Sequence, residues 1–128
     1  MNYLYVLVVV ATIALFLFLK RNRFIPQQQA RAFLKSGAKV VDVRTDDEYR
    51  EKHIPGALHI PLKLVSTECL KQVPDKNHVL LLHCAAGVRS AMAMKALRGL
   101  GYKHAYNLGS YDRAASIAAA SESARASS

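Results

Sequence analysis

An α/β domain is the fold class this sequence predicts: a small central parallel sheet flanked by helices on both faces, preceded by one N-terminal transmembrane helix. Three observations predict it. Residues 3–19 are an uncharged run rich in Val, Leu, Ile and Phe. Beyond it, apolar runs of strand length at 39–43 and 79–82 alternate with helically spaced segments at 27–36 and from Val88 onward. Strands alternating with helices pair in parallel, because parallel strands need long crossovers. The 128 residues divide into an anchor with a basic juxtamembrane segment (1–23), one small domain (24–115) and a tail (116–128).

The run from Tyr3 to Leu19 sits at the short end of what spans a bilayer, roughly 17–25 residues. A cleaved signal peptide is the competing reading. It would place basic residues before the apolar run and a small-residue cleavage site after it. Here nothing basic lies in residues 2–19, and Lys20-Arg-Asn-Arg23 follows at once. A retained single-pass anchor in the cell membrane is therefore expected. The positive-inside rule then puts the N-terminus outside and the domain in the cytoplasm.

The net charge of +9 is unevenly spread, with no acidic residue before Asp42. Attraction of this basic end to anionic membrane lipid accounts for it. No nucleic-acid recognition motif accompanies the charge, so no nucleic-acid partner is expected. Two cysteines, Cys69 and Cys84, make no disulfide framework. Oligomeric state is not legible in the sequence.

Phe24-Ile25 can form a short first strand, and Pro26 suits the start of a helix that Gly37 terminates. Lys39 to Val43 reads as a buried strand. Thr45 can cap a short helix reaching Glu51, with Asp46, Asp47 and Glu48 favourable in its first turn. Pro55-Gly56 dictates a bend before a short strand, and Leu62 to Val73 reads as a helix. Lys103 to Asn107 is expected as the last strand, followed by a turn at 108–111 and a helix. From Ser116 the Ala/Ser-rich tail lacks a core pattern and is expected to be disordered.

The chemistry converges on Cys84, which follows the buried run Val79–Leu82 and precedes a turn of small residues into a helix. Helix starts carry unpaired N–H groups and partial positive charge, so an anion is stabilised there. With Arg89 nearby, these surroundings should favour the thiolate of Cys84. Gly87 permits a backbone conformation closed to residues with a Cβ. An inert core cysteine at a strand end is the alternative. Cys69, inside a predicted helix, reads better as a packing residue than as a resolving thiol. His53, His59, His83 and His104 show no metal-ligand spacing, so no metal site is expected.

His83-Cys84-Ala85-Ala86-Gly87-Val88-Arg89-Ser90 resembles the active-site loop of rhodanese-type sulfurtransferases, Cys-x-x-Gly-x-Arg-Ser. Val40-Val-Asp-Val-Arg44, Glu48-Tyr49 and His53-Ile-Pro-Gly-Ala57 resemble that family's upstream signatures, in the same order. The resemblance covers roughly residues 25 to 115. It implies a rhodanese-like fold, no cofactor, and sulfur transfer through a persulfide on Cys84. A small anionic sulfur donor such as thiosulfate, and a thiol or cyanide as acceptor, are implied in the same way. Arg89 would orient the donor, and the backbone of Ala85, Ala86, Gly87, Val88 and Ser90 would bind it. Ser90 could instead merely cap the helix. Asp42 and Arg44 would brace the sheet below the site rather than form a surface ion pair. The family's usual Gly-Gly pair and nearby Trp are replaced by Gly109-Ser110 and by no Trp.

Two other functions compete. A Cys-dependent phosphatase or arsenate reductase would use the same thiolate, but the related cell-cycle phosphatases place five residues between Cys and Arg. Four stand here, Ala85 to Val88, and no Asp is placed as general acid. A persulfide-sensing or sulfur-relay docking module at the membrane is the non-enzymatic alternative.

Overall fold

The computed structural model describes residues 2–21 and 24–126. Helix α1 (Tyr3–Arg21) is long and apolar enough to cross a membrane, and none of Tyr3–Lys20 is buried against the rest of the chain. The remaining elements run α2 (Gln27–Lys35), β1 (Lys39–Asp42), α3 (Asp46–Glu51), β2 (Leu58–His59), a 3-10 turn (Leu62–Leu64) and α4 (Val65–Gln72). After these come β3 (Leu80–His83), α5 (Val88–Gly99), β4 (Ala105–Gly109) and α6 (Tyr111–Ala126).

The four strands form one parallel sheet in the order β2-β1-β3-β4. Strand alternation sends Leu80 and Leu82 to one face and Leu81 to the other. The first face packs with Val65 and Cys69 of α4 and Ala93, Met94 and Leu97 of α5. The second packs with Ala30 of α2 and Ala114 and Ile117 of α6. All four residues of β3 are buried, as a central parallel strand covered on both sides requires. The small parallel sheet flanked by helices on both faces that the sequence predicts is thus present.

Three expectations need correction. The tail expected to be disordered from Ser116 is the second half of α6, helical to Ala126, with residues 127–128 outside the described range. Alanine is the best helix former, and the small side chains let α6 lie close to the sheet, with Ala115 and Ala118 packed beside buried Ile117. The short strand expected at Phe24-Ile25 is a single rung: the Ile25 N–H donates to the Asn107 carbonyl at 2.8 Å. The last strand, Ala105–Gly109, lies two residues later than expected; it pairs from Ala105 opposite Leu80, and an irregularity beside Leu82 and His83 carries it to Gly109 opposite His83. Asn22 and Arg23 of the basic juxtamembrane segment fall outside the described residues.

Candidate active site

Strand β3 delivers Cys84 to the carboxyl edge of the sheet, where ligands of open α/β folds bind. The chain then turns through Ala85-Ala86-Gly87 into α5. Gly87 has φ +95°, and a Cβ there would stand 2.6 Å from the Phe24 ring, so only glycine fits. This turn aims the Gly87 N–H at the Cys84 Sγ, 3.0 Å away, and the Ser90 hydroxyl lies 3.5 Å from the same sulfur.

Cys84 is 1% exposed, and its burial pushes the thiol pKa up. The Ser90 hydroxyl and the main-chain N–H groups of Ser90, Ala86 and Gly87 outweigh that, and the net direction is down. Burial and anion stabilisation therefore coexist at one sulfur. Ala85, Ala86 and Val88 are exposed around it, Val88 at 69%. Of the loop residues the sequence suggested, Ala86, Gly87 and Ser90 act on the sulfur, and Ala85 and Val88 stand exposed beside it.

Ser90 does not cap the helix, whose N-cap is Gly87. Its hydroxyl also lies 2.7 Å from the Asn107 Oδ1, and a single hydroxyl proton can serve only one acceptor at a time. Asn107, buried on β4, donates from Nδ2 to the Gly87 carbonyl at 2.9 Å and accepts from the Gly109 N–H at 3.0 Å. One amide thus ties the loop, the start of α5 and the end of β4 together. Sequence reasoning missed it. The expected strand, Lys103 to Asn107, also carries Lys103 and His104, so one more polar residue at its end gave no signal.

Arg89 points its guanidinium at Glu48, 41 positions earlier, through two contacts of 2.7 and 3.0 Å. Glu48 is itself fixed. It closes a capping box on α3, accepting from the Thr45 N–H at 3.1 Å while its own N–H donates to the Thr45 hydroxyl at 3.3 Å. Arg89's hydrogen bonds hold the Glu48 carboxyl down at about 2. In return the Glu48 carboxylate raises the Arg89 pKa against the effect of burial, and Cys84 adds to the rise. In the sequence Glu48 was legible as a first-turn acid and as part of an upstream signature, with no role in the site.

Beneath the loop, Arg44 grips Asp42 with contacts of 2.7 to 3.1 Å, and both side chains are almost wholly buried. Arg44 also donates to the Lys52 carbonyl at 2.8 Å and lies 4.7 Å from the Tyr111 ring centre. Burial pushes the Asp42 pKa up, but the Arg44 hydrogen bonds win and hold it low. This is not a surface ion pair. His83, fully buried, has its Nε2 3.7 Å from Asp42, and burial lowers its pKa.

His53 and His59 stack on the two sides of Tyr49, with ring centres 3.9 and 4.3 Å away. Among the described residues, no three His, Cys, Asp or Glu side chains gather as a metal site. Cys69 lies within α4, fully buried, and burial raises its thiol pKa. A cleft of about 470 Å³ opens beside Arg89, lined also by Arg44, Asp46, Asp47, Arg50 and Lys63.

The family model for the rhodanese-like domain matches residues 26–115. This chain belongs to the rhodanese-like family. It is 41% identical over 69 residues to the thiosulfate sulfurtransferase PspE of Escherichia coli, covering 54% of this chain and 66% of that relative. The chain therefore spans no more than about two thirds of PspE, and 53% of another curated relative. Among solved structures it resembles a rhodanese with anions from E. coli, at TM-score 0.58 and 36% identity, covering 60% of this chain and 91% of that one. It also resembles the human single-domain sulfurtransferase TSTD1, at TM-score 0.61 and 30% identity, covering 70% and 92%.

Proposed function

We propose that this protein is a membrane-anchored sulfurtransferase that moves sulfane sulfur from a small anionic donor such as thiosulfate to a thiol or cyanide, through a persulfide on Cys84. The observation that carries the reading is the Gly87 N–H aimed at the Cys84 sulfur from 3.0 Å, at a thiol whose pKa is depressed. The Cys84 thiolate attacks the outer sulfur of thiosulfate, and the S–S bond of the donor breaks with its electron pair leaving on sulfite. The persulfide anion that remains has the same charge as the thiolate it replaces, so the same N–H groups stabilise both. An acceptor thiolate or cyanide then attacks the outer sulfur and returns Cys84 to the thiolate.

Ala85 through Ser90 supply the amide cradle, with Gly87 and Ser90 nearest the sulfur. Arg89, lining both the cleft and the sulfur's surroundings, orients the donor. Asp42 and Arg44 brace the sheet edge beneath the loop through their buried pair. Residues 1–23 would serve as the anchor; the family match over 26–115 supports a sulfur-handling unit that begins near residue 24, and the packing of Ile117 extends it into α6 beyond 115.

The anchor reading rests on α1 and the basic residues after it; a signal sequence is the competitor. On this reading the domain faces the cytoplasm, with the catalytic loop near the bilayer. Phe24, which packs on Gly87, comes three residues after Arg21 and so lies within about 11 Å of the end of α1 along an extended chain.

Incubation of the protein with thiosulfate tests the function. Mass spectrometry should show one added sulfur, lost on treatment with cyanide and absent from Cys84→Ser. Hydrolysis of an aryl phosphate without sulfur loading would favour the phosphatase instead.

A further inference from the structure

Arg89 is not a free cation waiting for an anion. Both of its terminal nitrogens rest on the Glu48 carboxylate, and side chains on both sides of the pair are only about one-third exposed. Glu48 cannot easily swing away, because the capping box with Thr45 fixes it at the start of α3. A carboxylate held in this way offsets the charge of the guanidinium and leaves the thiolate of Cys84 as the uncompensated charge of the trio.

We propose that Glu48 determines donor specificity, weighting the Cys84 loop against doubly charged donors and towards singly charged ones such as organic thiosulfonates and low-molecular-weight persulfides. The physical basis is Coulombic. A dianion approaching Arg89 meets the Glu48 carboxylate with twice the repulsion that a monoanion meets, at a partly shielded site where screening is weaker than in bulk water. Bidentate capture of an oxyanion by Arg89 also has to displace Glu48 from the same two nitrogens. Both classes of donor carry out the same balanced step. With a thiosulfonate, the Cys84 thiolate takes the terminal sulfur, the S–S bond breaks, and a sulfinate leaves with the electron pair.

This inference rests on the sulfur-transfer reading, and its test separates the two. Persulfide loading of Cys84 is measured with thiosulfate, a dianion, and with benzenethiosulfonate, a monoanion, on the full chain and on Glu48→Gln and Glu48→Asp. Gln keeps the capping box and a hydrogen bond to Arg89 but removes the charge. The expected result is that Glu48→Gln lowers KM for thiosulfate about tenfold and for benzenethiosulfonate only about threefold, half the free energy for half the charge, with no gain in kcat for either. Inorganic phosphate should become a competitive inhibitor of the same variant at lower concentration. Glu48→Asp, which keeps the charge on a shorter arm, should retain the wild-type preference, whereas a merely structural role, which Gln fills and the shorter Asp does not, would make Asp the more disruptive of the two. Parallel changes for the two donors would overturn the role of Glu48 and leave sulfur transfer standing. Loading from neither donor would overturn both.

Discussion

Cys69 and Cys84 belong to the same apolar cluster, both are free, and both are almost entirely buried, yet their thiols shift in opposite directions. Burial raises the pKa at both positions. At Cys69 burial outweighs the one polar neighbour that lowers the pKa, the Tyr102 hydroxyl, which also donates to the Cys69 and Val73 carbonyls at 3.1 and 2.6 Å. The sulfur sits mid-helix, where main-chain N–H groups are already used. At Cys84 the chain leaves a strand and enters a helix, and the N–H groups at that junction have no intrahelical partner. Accessibility therefore does not separate the thiol with the lowered pKa from the one with the raised pKa. The direction of nearby amides does.

The substitution expected to break this contrast most strongly is Gly87→Ala. It forces an L-residue into φ +95° and drives a methyl group to 2.6 Å from the Phe24 ring. The strain of such a conformation is about 1–3 kcal/mol before the clash is relieved. The turn should open, moving the Gly87 N–H off the sulfur. The expected outcome is a loss of persulfide loading on the order of tenfold or more, with a thiol pKa nearer the ordinary range, read by thiolate absorbance. Unchanged loading in a folded Gly87→Ala protein would show that the amide is dispensable.

Cys69→Ala sharpens the comparison from the other side. It removes one buried sulfur from the cluster between α4 and the sheet and should cost about 1–2 kcal/mol in a denaturation experiment. Sulfur loading should be unaffected. A large drop in turnover with loading intact would instead give Cys69 a resolving role.

Legibility in the sequence followed the range of the interactions. The strand, the turn at Gly87 and α5 were readable because Cys84 to Ser90 are contiguous and each residue acts on its near neighbours. Thr45 was likewise readable as a cap. Glu48 and Asn107 were not recognised as site residues, because their partners lie 41 and 17 to 20 positions away and only the fold brings them together. The end of α6 was missed for another reason. Its core contact is carried by one isoleucine among alanines, and a pattern built on small side chains resembles a tail without structure. Asp42 and Arg44 were visible as a pair, but their burial depended on Tyr111 and the Lys52 carbonyl closing over them.

The account depends most directly on the ionisation of one sulfur, and pH-dependent thiolate absorbance of Cys69→Ala and Cys84→Ser, each retaining one thiol, measures it. A lowered pKa means that Cys84 stays ionised as pH falls below the ordinary thiol range near 8.5, and that its ionisation stabilises the fold increasingly as pH rises from the folded value towards that range. The raised pKa of Cys69 means that its thiol stays protonated as pH rises past that range. The predicted result is two separated titrations, with Cys84 ionising at the lower pH. Coincident titrations, or Cys84 ionising at the higher pH, would contradict the persulfide mechanism at its source.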